Sequence, residues 1–537
     1  MALGLYYGNR LPSAVIAKVM MTIEPKYPLG IQTFSEIREE DYLYVDKTVL
    51  IYKLITTGKV YFLSRPRRFG KSLLISTLDA LFSGQKTLFD DLAIADTNYD
   101  FTAYPVIKLE FSQDEFTTAN SVRDYICSAL KRTALEHQIE LTENTYNQRF
   151  AELIRKLHKQ TGQKVVLLID EYDKPILNNL NKPVLSEIKQ VMVAFYCVVK
   201  PLDEHIKFVL ITGVSKFAKV SVFSGMNSLT DISMDRRFTS LCGVTQQELE
   251  SVFTDQIDEL AELDSLERTQ LLSKIKHWYN GYRFHHRAVG VYNPYSLLSL
   301  FLNQEFKNYW YTTATPTFLL NLLQEKQYDL RDLTQFEIGD NAFAVCEPED
   351  IDILSVFVQT GYLTIKSYSD PLYTLDFPNH EVKKSFFDSV VGRYGYLNSS
   401  LGQGYTHKLI QYLNSGALTH FFATLEKFFA NVPYDLAIDL EKYYQSLFYA
   451  IFTLIGLDIE AEVRTNKGRI DCVLQTQKTI YIIEFKLNDS KEAALKQIQD
   501  KQYAQKYQNS DKEIVLLGVE FDQTSRNIGG FIQQVLA

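Results

Sequence analysis

Through the first half of the chain, short continuous apolar runs alternate with stretches in which apolar residues return every three or four positions. "KVYFLSRP" (59–66) reads as a strand, and "KSLLISTLDALFSG" (71–84) as a helix with Leu74, Leu78 and Leu81 on one stripe and Gly84 as its stop. "PVIKLEF" (105–111) reads as a second strand, with helical periodicity following from about Ala119 to His158. "KVVLLIDEYD" (164–173) is apolar without alternation, as in strands buried on both faces of a parallel sheet. A helix over Val184–Val199 leads to another such run, "IKFVLITGVSKF" (206–217). Strands alternating with helices predict an α/β domain with a parallel sheet over residues 27–240.

Over residues 241–435 the pattern becomes helical, broken by aromatic turns such as "HWYNGYRF" and "NYWYTTATPTFLL". Within it, residues 353–387 read helix, strand, turn, strand, helix. That order suits a winged-helix module, and a plain helix–hairpin insertion equally well. Residues 436–537 return to a helix followed by strands, then a helix and a final strand. The N-terminal 26 residues lack a signal-peptide layout. Because Met20 and Met21 directly precede the first turn-rich segment, what lies before Met20 reads as an over-extended gene start.

Composition narrows the class. With 537 residues the chain exceeds one hydrophobic core, and 46% hydrophobic with 23% charged residues excludes global disorder. A formal net charge of -9 argues against a protein that coats nucleic acid indiscriminately, while leaving a local basic groove open. The five cysteines (127, 197, 242, 346 and 472) are scattered without a CxxC pair, which fits a reducing cytoplasm and argues against zinc or a disulfide framework. The longest apolar run, around Leu447 to Leu457, falls short of the roughly 18–20 residues that span a bilayer, so no membrane is expected.

Two stretches carry chemistry. In "SRPRRFGKS" (64–72), Gly70, Lys71 and Ser72 stand after a strand and before a helix, where a phosphate-binding loop supplies an ammonium for phosphates and a hydroxyl for Mg²⁺. Arg65 occupies the place of the usual first glycine, and Pro66 can stiffen the turn by fixing its φ. A basic surface turn would look similar. Asp170 and Glu171 at the end of "VVLLIDE" weigh against that, because an acidic pair closing a buried strand is otherwise costly. In P-loop ATPases such an Asp holds Mg²⁺ through water and the Glu orients the attacking water; loop or capping carboxylates are the alternative.

"YLYVDKTVLIYKLI", "FLSRPRRFGKSLLISTL", "LLIDEYDKPI", "WYNGYRF", "YNPYSLL" and "QTGYLTIK" together resemble the AAA-ATPase-like domain of many bacterial and archaeal proteins, over roughly Pro28 to Phe387. In that family RPRRFGKS is the usual loop, so the resemblance implies ATP with Mg²⁺ as cofactors. The loop Arg65, Pro66, Arg67, Arg68, Phe69, Gly70, Lys71 and Ser72 would hold nucleotide, with Ser72 and Asp170 on the metal and Glu171 as the catalytic carboxylate that orients the attacking water. Thr212 or Ser215 would take the sensor position. Arg236 and Arg237 would either reach a neighbour's γ-phosphate in a homo-oligomer or form a surface salt bridge.

Near the C-terminus, "GRIDCVLQT" and "TIYIIEFKL" read as two strands joined at Gln477-Lys478. If those two residues are the loop, Thr476 faces Thr479 and, counting outward, Asp471 faces Glu484. Like charges so opposed are destabilising unless a cation joins them. Lys486 shares the face of Glu484, whereas Tyr481, Ile483, Phe485 and Leu487 fill the other. A purely structural ion cluster is the alternative.

This spacing resembles the PD-(D/E)XK nuclease core over about Leu440 to Phe521, with Ile470 where the family name has proline. The resemblance implies a restriction-endonuclease-like α/β fold and metal-dependent hydrolysis of DNA. Asp471, Glu484 and the Phe485 carbonyl would hold Mg²⁺, with Mn²⁺ as a substitute, and Lys486 would assist the water. Glu441 would come from the opening helix, and Gln497 with Tyr503 from the helix behind the core. Lysines 467, 478, 491, 496, 501 and 506 would meet the DNA backbone or simply face solvent. Two functions are therefore expected: an ATP-regulated nuclease, with defence or mobile-element control as its setting, or an ATP-driven switch or DNA-binding regulator with an inactive nuclease domain.

Overall fold

The computed structural model describes residues 25–180, 182–216, 222–226, 228–313, 317–326, 328–333, 336–343, 352–397, 399–432, 440–458, 460–466, 469–487, 489–522 and 524–536. The N-terminal segment before residue 25 and Lys467 lie outside them, as do the side chains of Glu441 and Asp471.

The first half is the α/β unit the pattern predicts. Strand β1 (Val60–Ser64) is followed by helix α1 (Lys71–Phe82), β2 (Val106–Glu110), α2 (Ala119–Glu136), α3 (Tyr146–Thr161), β3 (Val165–Asp170), α4 (Leu185–Tyr196), β4 (Ile206–Gly213) and a short β5 (Thr230–Asp231). All pairings are parallel, in the order β2-β3-β4-β1-β5. Every residue of β1 and β3 is buried, as their unbroken apolar runs require. The crossovers bring the loops after β1 and β3 to the carboxyl edge of the sheet, with the end of β4 between them. That is the edge where open parallel sheets bind ligands.

Helices dominate the middle. A small antiparallel sheet of β6 (Phe336–Ile338), β7 (Thr364–Ser369) and β8 (Leu372–Asp376) is flanked by α5 (Ile353–Thr360) and α6 (His380–Tyr394). The helix–strand–strand–helix order is thus present, with β6 added along the free side of β8. Helix α6 buries Val382, Phe386, Phe387, Val390, Val391 and Tyr394, which together lie on more than one of its faces. Glu381, Ser385 and Asp388 are buried on its other side and Arg393 alone is exposed, so this helix is a strut inside the molecule rather than a surface element.

The C-terminal unit runs α7 (Leu440–Asp458), β9 (Glu460–Asn466), β10 (Arg469–Gln475), β11 (Thr479–Leu487), α8 (Lys491–Asp500), β12 (Glu513–Asp522) and β13 (Asn527–Leu536). Its mixed sheet has the order β13-β12-β11-β10-β9, and only β11–β12 is parallel. One final strand is expected from the pattern, and two are present. Asp522 accepts from Thr524 N–H and Ser525 N–H to turn the chain, and β13 carries Gly529-Gly530 near its start, a weak strand signature. One continuous hydrophobic core extends from β1, β3 and β4 through α5 and α6 to α7 and the Tyr481, Ile483 and Phe485 face of β11. A smaller core of Ile480, Ile482, Ile498 and Leu516 fills the other face, beneath α8. Among the described residues no helix is long and apolar enough to cross a membrane.

Candidate functional site

Residues 64–72 turn from β1 into α1 through two left-handed positions, Arg68 at φ +64° and Gly70 at φ +88°. Alternation of this kind points successive N–H groups to one side, the geometry of an anion nest. A cavity of about 380 Å³ opens there, and Arg67, Arg68, Gly70, Lys71, Ser72 and Glu171 contribute to its wall. Lys71 is buried, and its Nζ donates to the carbonyls of Arg65 and Pro66 at 3.0 and 3.1 Å. Pro28, Leu29, Ile31, Tyr295 and Leu298 supply an apolar part of the same wall. These five were not expected as site residues, since nothing in their local pattern sets them apart from core.

Among the described residues, Arg65, Pro66 and Phe69 do not line that cavity. The Arg65 guanidinium is buried and donates to the carbonyls of Ser64, Ser233 and Phe238 at 2.9, 2.7 and 3.2 Å. Burial holds its pKa down to about 10. The residue in the first-glycine position therefore pins the loop from behind.

Asp170 ends β3 with 2% exposure, accepting from Glu171 N–H at 3.0 Å and from the Thr212 hydroxyl. It shares with Ser72 a second, polar cavity of about 380 Å³, to which Glu110 and Asp79 also contribute. Hard oxygen donors of this kind suit Mg²⁺. Glu171 takes a left-handed conformation, φ +53°, and burial raises its pKa against the opposing field of Lys71. Of the two sensor candidates, Thr212 touches Asp170, whereas the Ser215 hydroxyl donates to Asp173 at 2.7 Å. Arg237 forms a forked ion pair with Asp235, Nη2–Oδ2 2.6 Å and Nε–Oδ1 3.0 Å.

The aromatic motifs of the middle region converge on the back of this loop. Phe284 lies 4.0 Å under the Arg65 guanidinium, and Phe69 packs edge-on against Tyr282 and Phe284. Trp310 Nε1–H donates to the Arg67 carbonyl at 3.0 Å, with Asn293 Nδ2 at 3.5 Å from the same oxygen. Gly361, at φ +90°, lies against Pro66, where a Cβ would come within 2.7 Å of the proline ring. The motifs were visible in sequence, but their common target was not.

Far along the chain, the strand hairpin has the register counted from its two-residue turn. Thr476 N–H donates to the Thr479 carbonyl at 2.8 Å, and Asp471 stands directly opposite Glu484. Glu484 is fully buried, with Lys486 Nζ 3.6 Å from its Oε1. Lys486 Nζ also donates to Gln497 Oε1 on α8, and Gln497 Nε2 is buried without a hydrogen-bond partner among the described residues. Ionised carboxyl groups are expensive to bury unless a cation compensates them. An acidic, oxygen-donating strand position therefore fits a hard divalent metal. Tyr503 begins the turn after α8, and Lys478, Lys496, Lys501 and Lys506 are exposed.

Comparison with known proteins agrees with this division. A family model described as a predicted AAA-ATPase matches residues 28–223, and one described as the PD-(D/E)XK nuclease superfamily matches residues 439–531. The chain is also 40% identical over 525 residues to an Azotobacter chroococcum mcd 1 protein, "Uncharacterized protein in vnfD 5'region", covering 95% of this chain and 99% of that one.

Proposed function

The chain belongs to the family that joins a predicted AAA-ATPase domain to a C-terminal PD-(D/E)XK nuclease superfamily domain, and on that premise we propose that it is an ATP-regulated, metal-dependent DNA nuclease. The observation that carries the nuclease reading is the face of β11 on which buried Glu484 and half-buried Lys486 stand beside Gln497, with Asp471 in register opposite. A divalent ion held by Asp471 and Glu484 would acidify a bound water and neutralise the scissile phosphate. Lys486, aligned by Gln497, holds the attacking water and balances charge in the transition state. The exposed lysines flanking α8 meet the DNA backbone.

In the N-terminal cavity, Lys71 leaves the Arg65 and Pro66 carbonyls for the outer phosphates of ATP, and Ser72 and Asp170 serve its Mg²⁺. Glu171 orients the water that attacks the terminal phosphate. Leu29, Ile31, Tyr295 and Leu298 support a nucleotide rather than bare phosphate, because an apolar wall suits a base.

The test is purified protein with Mg²⁺ or Mn²⁺ and single- or double-stranded DNA, beside Lys486→Ala. Cleavage by the unaltered protein alone is expected. Cleavage that survives the substitution, or none under any condition, overturns the assignment and leaves a nucleotide-driven switch.

A further inference from the structure

The loop and the nuclease strand lie at opposite ends of the chain, yet one buried helix touches the supports of both. The Arg67 carbonyl belongs to the same planar trans peptide as the Arg68 N–H, and the two point in opposite directions. Trp310 takes that carbonyl from behind the loop at 3.0 Å, which turns the Arg68 N–H the other way. Trp310 is itself held by its own backbone. Its N–H donates to Glu381 Oε1 at 2.6 Å, and the Ser296 hydroxyl donates to Glu381 Oε2 at 2.7 Å.

Glu381 is wholly buried and stands in the first turn of α6. At the other end of α6, about 20 Å on at 1.5 Å per residue, Tyr394 stacks on Tyr443 of α7, centroids 5.5 Å apart. The Tyr443 hydroxyl donates to the Tyr394 carbonyl, and Phe387 meets Tyr449 edge-on. Phe448 and Phe452 of α7 then pack on Phe485 at 4.7 and 5.4 Å. Phe485 is the residue between Glu484 and Lys486 on β11.

We propose that Trp310 is a positioning residue for the phosphate loop, anchored by Glu381, and that α6 links the state of that loop to the nuclease strand. The proposal rests on the nucleotide and nuclease readings above. A phosphate seated on the loop stabilises the peptide orientation that Trp310 favours, so ligand and tryptophan support one another. Because close-packed elements transmit displacement, fixing Trp310 fixes the N-terminal end of α6 and, through it, α7 against Phe485. Linkage makes the effect reciprocal: a ligand at β11 whose affinity nucleotide raises will raise nucleotide affinity by the same factor.

The experiment is amide hydrogen exchange of the full chain with and without a slowly hydrolysed ATP analogue and Mg²⁺, read over residues 480–487, with nucleotide affinity measured calorimetrically. In the unaltered protein the analogue should slow exchange across β11. Trp310→Phe keeps an aromatic ring but lacks the N–H. It should bind the analogue roughly three- to tenfold more weakly and, at saturation, leave β11 exchange unchanged. Glu381→Gln keeps the acceptor for the Trp310 N–H and should retain the response, which separates positioning from general loss of packing. Binding without any change at β11 in the unaltered protein, or an undiminished change in Trp310→Phe, overturns the link alone. No binding by the unaltered protein overturns the nucleotide reading, and the link with it.

Discussion

The phosphate loop and the β10–β11 hairpin both place charge in buried surroundings, but they are built in opposite ways. The loop is irregular backbone at the edge of a parallel sheet, and its shape is imposed by residues distant in sequence: Phe284 under Arg65, Trp310 on Arg67 and Gly361 against Pro66. The hairpin is regular backbone, and its charged positions are set by strand register and by α8 immediately downstream. A loop-borne site can therefore be adjusted from outside without touching its ligand-facing groups. A strand-borne site changes only when its own sheet or its backing helix moves. The first is suited to sensing a state and the second to performing one reaction.

That contrast can be broken most severely at the strand. Lys486→Ala is expected to lower the DNA cleavage rate by about 10²–10³-fold while far-ultraviolet circular dichroism and melting temperature stay near those of the unaltered protein. A gross loss of structure would instead make Lys486 the neutralising partner of Glu484. At the loop, Lys71→Ala should weaken ATP binding by about 10–100-fold, the worth of a charge-assisted hydrogen bond or two, and unchanged calorimetric affinity would refute the phosphate role.

Arg65→Gly sharpens the comparison because it restores the glycine common at that position. With three carbonyl acceptors deserted, the expected result is a loss of about 2–4 kcal/mol of stability by chemical denaturation. A more stable variant would show that Arg65 does not pin the loop.

The smallest effect concerns pH. Burial raises Glu381 to about 7 from the ordinary 4.5, so the folded protein binds this proton more tightly than the unfolded chain. Its contribution is complete below about 4.5 and is lost as pH rises through about 7. Glu381→Gln carries a fixed neutral amide, so its stability relative to the unaltered protein should improve across that interval, by up to about 3 kcal/mol. A difference that stays flat with pH would contradict the buried acid.

The same division explains what could be read in advance. Register is arithmetic once a two-residue turn is recognised, so Asp471 opposite Glu484 was legible from spacing. The α/β alternation was legible because fully buried parallel strands leave unbroken apolar runs. The support of the phosphate loop was not. Arg67 and Trp310 are 243 positions apart, and no local pattern records which carbonyl an indole will meet. For Arg65 the loop resemblance implies nucleotide contact, whereas its guanidinium is spent on backbone carbonyls behind the loop, partners that no local pattern records. Strand β13 is not legible in the sequence because its glycines and polar residues carry little strand signal.

The most direct test of the whole account is the rate of DNA cleavage as ATP is titrated, measured side by side for the unaltered protein and Lys71→Ala. A cleavage rate that changes with ATP in the unaltered protein, and does not respond to ATP in Lys71→Ala, is the predicted result. Equal cleavage by both proteins at every ATP concentration would contradict nucleotide control of the nuclease.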